Sequence, residues 1–188
     1  RKARIHHVLS RRQKDFTLVL ANIHDPHNVS AIYRSCDAFG VPRVHLYYTE
    51  TVFPALGLKS SASARKWVES VRHTNAGAMA DGLKAEGYQI LATGFSERAK
   101  PVTHYDLTGP TAVVLGNEHR GVDQELLDVA TDEVFIPMQG MVQSLNVSVA
   151  AAVTLFEAWR QREAKGMFDQ PSYDPEELAA LIAAWEEK

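Results

Sequence analysis

Apolar residues in this chain form short continuous runs that alternate with segments of helical spacing. The continuous runs are typical of buried strands, and they predict strands at residues 17–21, 44–48, 67–72, 89–93, 111–115 and 133–136. The helical spacing predicts helices at residues 4–12, 28–39, 75–86, 123–130 and 147–162. Residues 59–66 are expected to form a loop that leads into a short helix. This alternation predicts an α/β fold with a mostly parallel sheet and helices on both faces.

Residues that start or stop helices support these boundaries. Asn75 is a suitable N-cap for the helix beside it, and Gly40 and Gly87 are suited to end the helices before them. Asp174 and Pro175 predict the start of a helix in the C-terminal tail. The apolar stripe of that helix consists of Leu178, Leu181, Ile182 and Trp185. We expect the stripe to pack against the body of the protein or against a second subunit.

The charge distribution makes the N-terminal segment a candidate for contacts with nucleic acid. The chain has 188 residues, which favours one domain with short appendages, and its net charge is −3. Residues 1–14 nevertheless carry only basic charges, whereas residues 169–188 are strongly acidic. Because screening confines each charge to its neighbourhood, a basic arm can bind phosphates in a chain that is acidic as a whole. A basic segment that is merely solvated is the alternative.

Several classes of protein are disfavoured by the composition. No apolar run is long enough for a transmembrane helix, and the basic N-terminal segment lacks the apolar core of a secretory signal. Cys36 is the single cysteine, so no intramolecular disulfide can form, which fits a reducing cytoplasm. The sequence contains neither H-E-x-x-H nor C-x-x-C, and its eight histidines are scattered. We therefore expect a cytoplasmic protein without a metal site.

Three polar loops follow predicted strands, and ligands of parallel α/β sheets bind beyond the carboxyl ends of the strands. The first loop, at residues 22–34, places two histidines, an aspartate and Asn28 at the start of a predicted helix. Asn28 is interpreted as the cap of this helix, with Arg34 projecting from its second turn. A simple cap and a surface charge without further function are the alternative.

The second loop, at residues 113–121, joins an apolar strand to Gly116, a polar cluster and Gly121. A glycine directly after a strand lets the backbone approach a ligand. Glu118 could serve as a catalytic acid, as a carboxylate that binds an amine, or as a helix-capping charge. The chain has no G-x-G-x-x-G segment, which disfavours a nucleotide-dependent oxidoreductase.

The third loop, at residues 136–150, begins after a strand at Pro137 and leads into a helix rich in alanine and valine. Ser144 and Asn146 stand just before that helix, and Ser144 is suited to cap it. A serine nucleophile is disfavoured because the chain has no G-x-S-x-G segment. The three loops together indicate a site that works without a metal ion.

The three loops, in this order, resemble the three motifs of the SpoU/TrmH branch of the SPOUT RNA methyltransferases. Residues 28–34 are similar to the first motif, and Asn117, Glu118 and Gly121 form the N-E-x-x-G core of the second. The third motif is matched by I-P-M and S-L-N-V-S-x-A within residues 136–150. The resemblance covers nearly the whole chain and is strongest to those members that methylate guanosine 18 of tRNA.

This resemblance implies a fold and an activity that periodicity alone does not reveal. The expected fold is a SPOUT domain at residues 17–165 with a C-terminal trefoil knot, preceded by a basic helical extension at 1–16 and followed by a linker and helix at 166–188. The implied reaction is transfer of a methyl group from S-adenosylmethionine (AdoMet) to the ribose 2′-hydroxyl of a guanosine in tRNA, most specifically guanosine 18 of the D-loop. The family also implies a homodimer whose sites borrow residues across the interface.

The resemblance also implies a role for individual residues. The residues implied in catalysis are Arg34, Asn28, Glu118, Ser144 and Asn146. Those implied in cofactor binding are Thr93, Leu115, Gly116, Asn117, Ile136, Met138 and Leu145. Those expected to contact tRNA phosphates are Arg4, Arg11, Arg12 and His27. Members of the family are credited with activating the hydroxyl through the arginine that Arg34 matches. Because a guanidinium is always charged and is a weak base, our hypothesis is that Arg34 is an electrostatic clamp on the hydroxyl and a neighbouring phosphate.

Two other functions stay open at this stage. Relatives that methylate ribosomal RNA, or another position of tRNA, share the same motifs, although many of the former carry a larger RNA-binding domain. A protein with the same fold that binds RNA without catalysis is the second, and the presence of every motif residue disfavours it. Neither DNA nor a membrane is an expected partner.

Overall fold

The computed structural model describes residues 1–55 and 64–188. The strands are β1 (Phe16–Ala21), β2 (Arg43–Tyr47), β3 (Glu69–His73), β4 (Gln89–Thr93), β5 (Lys100–Pro101), β6 (Thr111–Leu115) and β7 (Asp132–Phe135). The helices are α1 (Lys2–Leu9), α2 (Pro26–Ala38), α3 (Ala64–Trp67), α4 (Ala76–Ala85), α5 (Gln124–Val129), α6 (Val147–Ala164) and α7 (Pro175–Glu187). A short 3₁₀ turn, Val102–His104, follows β5. Strands and helices therefore alternate largely as predicted, except that the sequence did not predict β5, which lies between β4 and β6.

The strands form one seven-stranded sheet in the order β3-β2-β1-β6-β4-β7-β5. Every neighbouring pair is parallel, which confirms the predicted α/β fold with a mostly parallel sheet. Successive strands move outward from β1 to β3, and the chain then crosses to the other side of β1. Such a reversal opens a crevice at the carboxyl ends of the strands, where ligands bind. The trefoil knot stays a prediction.

The core lies on both faces of the sheet. Successive residues of a strand point to opposite faces, so β1 contributes Leu18 and Leu20 to one hydrophobic cluster and Val19 and Ala21 to the other. Helices α2 and α6 cover the first face, and α4 and α5 cover the second. This two-sided burial explains why the strands of the sheet centre are continuously apolar rather than alternating.

The apolar stripe of the tail packs on the N-terminal helix of the same chain. Ile5, Leu9 and Trp185 form a small buried cluster, and Trp67 stacks on Trp185 with ring centroids 4.6 Å apart. Two ion pairs of 3.0 Å, Lys2–Glu186 and Lys14–Glu177, join the basic and acidic termini. The stripe therefore packs against the body of the protein, one of its two expected positions, and a contact with a second subunit stays a prediction.

Both predicted helix caps of the loop regions are wrong by a few residues. Helix α2 is capped by Asp25, whose carboxylate accepts the N–H of His27 over 2.8 Å, and Asn28 lies inside the first turn. Helix α6 is capped by Asn146 rather than Ser144. Asp25 rather than Asn28 is the cap because Pro26 follows it, and proline is suited to the first position of a helix.

Other element boundaries shift without changing the order. Helix α1 ends at Leu9, before the predicted end at residue 12, and the strand predicted at 67–72 is β3, preceded by a short helix that ends at Trp67. Asn75 caps α4 as predicted, with its Oδ1 accepting the N–H of Ala78 over 2.8 Å. Gly40 and Gly87 follow their helices with positive φ angles of 78° and 84°. Within the loop predicted at 59–66, residues 59–63 lie outside the described residues.

Arg12 is a structural residue rather than an exposed phosphate ligand. Its side chain is fully buried, and its guanidinium donates to the carbonyl of Val41 over 2.8 Å and to Asp37 over 2.5 Å. The same guanidinium lies over the ring of Trp185. The prediction that Arg12 contacts RNA is therefore wrong, because a buried and paired guanidinium cannot reach a phosphate.

None of the helices in residues 1–55 and 64–188 combines the length and the apolar character that crossing a bilayer requires.

Candidate active site

A cavity of about 700 Å³ opens at the carboxyl edge of the sheet, where β6, β4 and β7 end. Its walls are the loops after these strands and the first turns of α6. The residues predicted to bind the cofactor all line it: Thr93, Leu115, Gly116, Asn117, Ile136, Met138 and Leu145. Glu118, Ser144 and Asn146 line it as well. The second and third loops of the sequence analysis therefore meet in one site.

Gly116 allows the loop after β6 to fold back on itself. The backbone of Asn117 exchanges two 2.9 Å hydrogen bonds with that of Gly121, which has a positive φ of 78°. A Cβ built on Gly116 would lie 2.2 Å from the carbonyl carbon of Gly121. A glycine is therefore required here for the loop's own backbone, and the expected approach of this backbone to a ligand stays a prediction.

Asn117 and Asn22 fix this loop to the end of β1. The side chain of Asn117 is buried and donates to the carbonyl of Asn22 over 2.8 Å. Asn22 has a positive φ of 48°, and its side chain donates to Thr49 and Asp123 and accepts the N–H of Thr49 over 3.0 Å. Asparagine tolerates this left-handed conformation better than most residues. Three loops of the carboxyl edge are thus tied to one strained residue.

Glu118 holds the start of α2. Its carboxylate accepts the backbone N–H groups of His24 and Asp25 and the side-chain amide of Asn28, each over 3.1 Å. Burial alone would raise the pKa of this carboxyl, but the hydrogen bonds from Asn28 and the backbone outweigh burial and hold the pKa below its ordinary value. A carboxylate that stays charged is poorly suited to a general acid. Of the three roles that the sequence allowed for Glu118, the geometry agrees best with a charge that caps a helix.

Asn28 and Asn146 extend this network from α2 to α6. Nδ2 of Asn146 donates to Oδ1 of Asn28 over 3.1 Å, while Oδ1 of Asn146 accepts the N–H of Ser148 over 2.9 Å. Glu118, Asn28 and Asn146 come from the second, first and third loops, so the chain of hydrogen bonds joins all three. Ser144 lies beside them with an exposed side chain.

Arg34 lies apart from this network. It is exposed in the third turn of α2, on the side opposite the buried residues Ile32, Tyr33 and Cys36. Within the part of the chain that the structure describes, Arg34 is not among the residues that line the cavity. The predicted second-turn position is wrong because the helix begins before Asn28.

The exposed basic residues lie along α1 and at the start of α2. Arg4, Arg11 and His27 are exposed, and Arg11 lies 3.1 Å from Nδ1 of His7. Unlike Arg12, these side chains are free to meet a phosphate. The described residues contain no group of three or more His, Cys, Asp or Glu side chains that could hold a metal ion.

The profile of the SpoU rRNA Methylase family matches residues 15–156. This chain belongs to that family. It is 45% identical to a tRNA (guanosine(18)-2′-O)-methyltransferase of Thermus thermophilus over 98% of this chain and 95% of the relative. The crystal structure of a TrmH/SpoU tRNA modifying enzyme of A. aeolicus has a TM-score of 0.92 and 39% identity, covering 98% of this chain and 93% of that one. The SpoU methyltransferase AviRb of Streptomyces viridochromogenes, solved with AdoMet, has a TM-score of 0.72 and 28% identity, and the match covers 81% of this chain and 60% of that one.

Two residues of this SpoU site were missed by the sequence analysis. Glu133 is buried in β7, where its carboxylate accepts the N–H of Ser96 over 3.1 Å, and it lines the cavity. The hydrogen bonds with Ser96 hold its pKa below the ordinary value although burial opposes them. Asn22 was passed over in favour of the polar residues after it. An acidic residue within an apolar strand and an asparagine directly after one are the signals that could have found them.

Proposed function

We propose that this protein transfers a methyl group from AdoMet to the ribose 2′-hydroxyl of a guanosine in tRNA, namely guanosine 18 of the D-loop. The observation that carries the proposal is the hydrogen-bonded chain Glu118–Asn28–Asn146, which joins the three motif loops at the mouth of the cavity. Similarity to a tRNA (guanosine(18)-2′-O)-methyltransferase along nearly the whole chain supports the substrate.

The size and lining of the cavity support AdoMet as its ligand. Its volume of about 700 Å³ lies in the range of small-molecule sites, roughly 300 to 1,000 Å³. We propose that the backbone around Leu115, Gly116, Ile136 and Leu145 holds the cofactor, with Thr93 and Met138 as further walls, since all of them line the cavity. When bound, AdoMet would supply the methyl group that its sulfonium carries.

Arg34 would act on the acceptor rather than on the cofactor. A ribose hydroxyl is a weak nucleophile until it loses its proton, so a nearby fixed cation favours the reaction by stabilising the developing negative charge. A guanidinium can also hold a neighbouring phosphate with two parallel hydrogen bonds. We therefore assign Arg34 to the hydroxyl and phosphate of the RNA, and Asn28, Glu118, Ser144 and Asn146 to the walls that position the ribose.

We further propose that the protein works as a homodimer. Helix α6 exposes Val149, Val153 and Phe156 at 46%, 38% and 51%, and these residues form one stripe of a helix. Phe156 packs edge-on against Phe39 at the end of α2, so the stripe is continuous with the helix that carries Arg34. We propose that a second copy covers this surface and that Arg34 serves the partner's cavity.

The exposed basic residues Arg4, Arg11 and His27 are proposed to contact phosphates of the tRNA. The proposal includes a cytoplasmic location, where tRNA is modified. Methylation of ribosomal RNA is the second candidate function, because the matching family is described by that substrate.

The test is transfer of a labelled methyl group from AdoMet to an unmodified tRNA transcript, followed by nuclease mapping of the protected ribose. A protected guanosine 18 is the expected result. Transfer to ribosomal RNA and not to tRNA would keep the chemistry and replace the substrate. Binding of AdoMet without transfer to any RNA would overturn the enzymatic function.

A further inference from the structure

Phe95 stands at the edge of the cavity with most of its ring exposed. Its side chain is 68% exposed, directly after Gly94 in the loop that follows β4, and it lines the cavity. The ring of Phe135 lies against it with centroids 5.9 Å apart and planes tilted by 36°. A large exposed aromatic group beside a cavity is typical of a contact with a ligand.

The loop that carries Phe95 is fixed rather than free. Oε2 of Glu133 accepts the N–H of Ser96 over 3.1 Å, and the N–H of Gly94 donates to the carbonyl of Val134 over 3.1 Å. Arg98 donates to Glu133 over 3.4 Å and to the carbonyl of Leu127 over 2.9 Å. Anchors on both sides therefore hold Phe95 in place before a ligand arrives, which lowers the entropic cost of stacking on it.

The position of Phe95 along the sheet edge selects the part of the ligand it meets. The proposed acceptor residues Asn28 and Glu118 follow β1 and β6. Phe95 lies in the loop after β4 and Phe135 at the end of β7, farther along the strand order. Neighbouring strands lie about 4.8 Å apart, so roughly 10 Å separate β6 from β7. If the methyl group faces the β1 side, the adenosyl and amino-acid arms of the sulfonium both lie away from it, and only the adenosyl arm carries a planar ring that can stack on Phe95.

We propose that Phe95, backed by Phe135, is the stacking surface for the adenine ring of AdoMet. The inference rests on the proposed function, and it adds a contact with the face of the base to the backbone contacts assigned to the cavity walls. Adenine is planar and apolar on its faces, and stacking of a nucleobase on an aromatic side chain is strong enough to be measured by alanine substitution.

The test is calorimetric titration of wild type, Phe95→Ala, Phe95→Leu and Phe95→Tyr with S-adenosylhomocysteine, methylthioadenosine and S-ribosylhomocysteine. The first two ligands contain adenine, and the third has the same amino-acid and ribose parts without the base. We expect Phe95→Ala to weaken binding of both adenine ligands by about tenfold and to leave S-ribosylhomocysteine unchanged. Phe95→Tyr should restore the affinity and Phe95→Leu should do so only in part, because leucine has no ring.

Equal weakening for all three ligands, or none for any, would overturn the stacking role. Unchanged affinity for the adenine ligands with weaker binding of tRNA to Phe95→Ala would instead place an RNA base on this ring, and would equally contradict the inference. Failure of the proposed function has a different signature, since wild type would then transfer no methyl group to RNA, whatever its affinity for S-adenosylhomocysteine.

Discussion

Nδ2 of Asn146 donates to Oδ1 of Asn28 over 3.1 Å, although the two residues are 118 positions apart in the chain. The bond joins the cap of α6 to the first turn of α2, and the side-chain amide of Asn28 in turn donates to Glu118. The first and third motif loops are thus held in register by side-chain amides. Because an amide both donates and accepts, neither asparagine can be replaced by a carboxylate without losing a bond.

Asn146→Asp separates the capping role of Asn146 from its contact with Asn28. Aspartate caps helices about as well as asparagine, so the free energy of unfolding should change by less than about 0.5 kcal/mol. Turnover should fall at least tenfold, because the carboxylate cannot donate to Asn28. Thermal unfolding and methyl transfer to tRNA measure the two effects.

The matched control is Asn75→Asp at the cap of α4, whose Oδ1 accepts the N–H of Ala78 far from the cavity. This variant should change neither stability nor turnover. Full activity in Asn146→Asp would show that the bond between the two asparagines is not used.

Glu118→Gln should flatten the dependence of stability on pH in acid. The hydrogen bonds hold the folded pKa of Glu118 below its ordinary value of 4.5, so the carboxylate stabilises the folded protein above that value. This contribution is lost as the pH falls through 4.5 towards the lower folded pKa. Glutamine does not titrate, so the difference in free energy of unfolding between wild type and variant should shrink as the pH falls below about 4.5. A difference that is constant over this range in urea titrations would contradict the assignment.

Parts of this site were predictable from local patterns, and other parts were not. The strands ending at Thr93 and Leu115 follow from continuous apolar runs, and the N-E-x-x-G segment identified Asn117 and Glu118. The burial of Arg12 had no local signal, because its partner Asp37 is 25 residues away and a basic side chain after a helix is normally exposed.

Competition between neighbouring residues explains the misplaced cap. Asp25 and Asn28 both belong to the residue types that cap helices, and periodicity cannot choose between them. Pro26 was the deciding local signal, and its position beside Asp25 fits the first turn of α2. What Asn28 does instead depends on Glu118 and Asn146, which only the folded chain brings near it.

Arg11→Gln should change tRNA binding, whereas Arg12→Gln should change the stability of the fold. Arg11 is exposed, so its substitution should weaken tRNA binding and reduce the salt dependence of the affinity by about one unit of slope, with stability unchanged. Arg12 is buried, and its loss leaves the carbonyl of Val41 and the partly exposed carboxylate of Asp37 without their donor, which costs about 2 kcal/mol of unfolding free energy. Filter binding at several salt concentrations and urea denaturation distinguish the two variants. An unchanged salt slope in Arg11→Gln would remove this residue from the RNA contacts.

Gly116→Ala should weaken cofactor binding. A Cβ at this position would lie 2.2 Å from the backbone of Gly121, so the loop must open, at a cost of about 3 kcal/mol. Titration with S-adenosylhomocysteine should show at least tenfold weaker binding. Gly109→Ala is the matched control, since no atom lies within 4 Å of a Cβ there. Normal binding by Gly116→Ala would mean that this loop does not shape the cofactor site.

Arg34→Ala should abolish turnover and keep the affinity for S-adenosylhomocysteine, because Arg34 is exposed on α2 and is not among the described residues that line the cavity. If the residue serves the cavity of a second subunit, co-expression with Asn146→Ala tests it. Each mixed dimer would then contain one intact pair of cavity and arginine out of two. Because random assembly makes about half of the dimers mixed, the mixture should recover about a quarter of wild-type activity. An arginine acting within its own chain predicts no recovery, since each subunit would carry one defect. Near-normal turnover of Arg34→Ala alone would exclude this residue from the reaction.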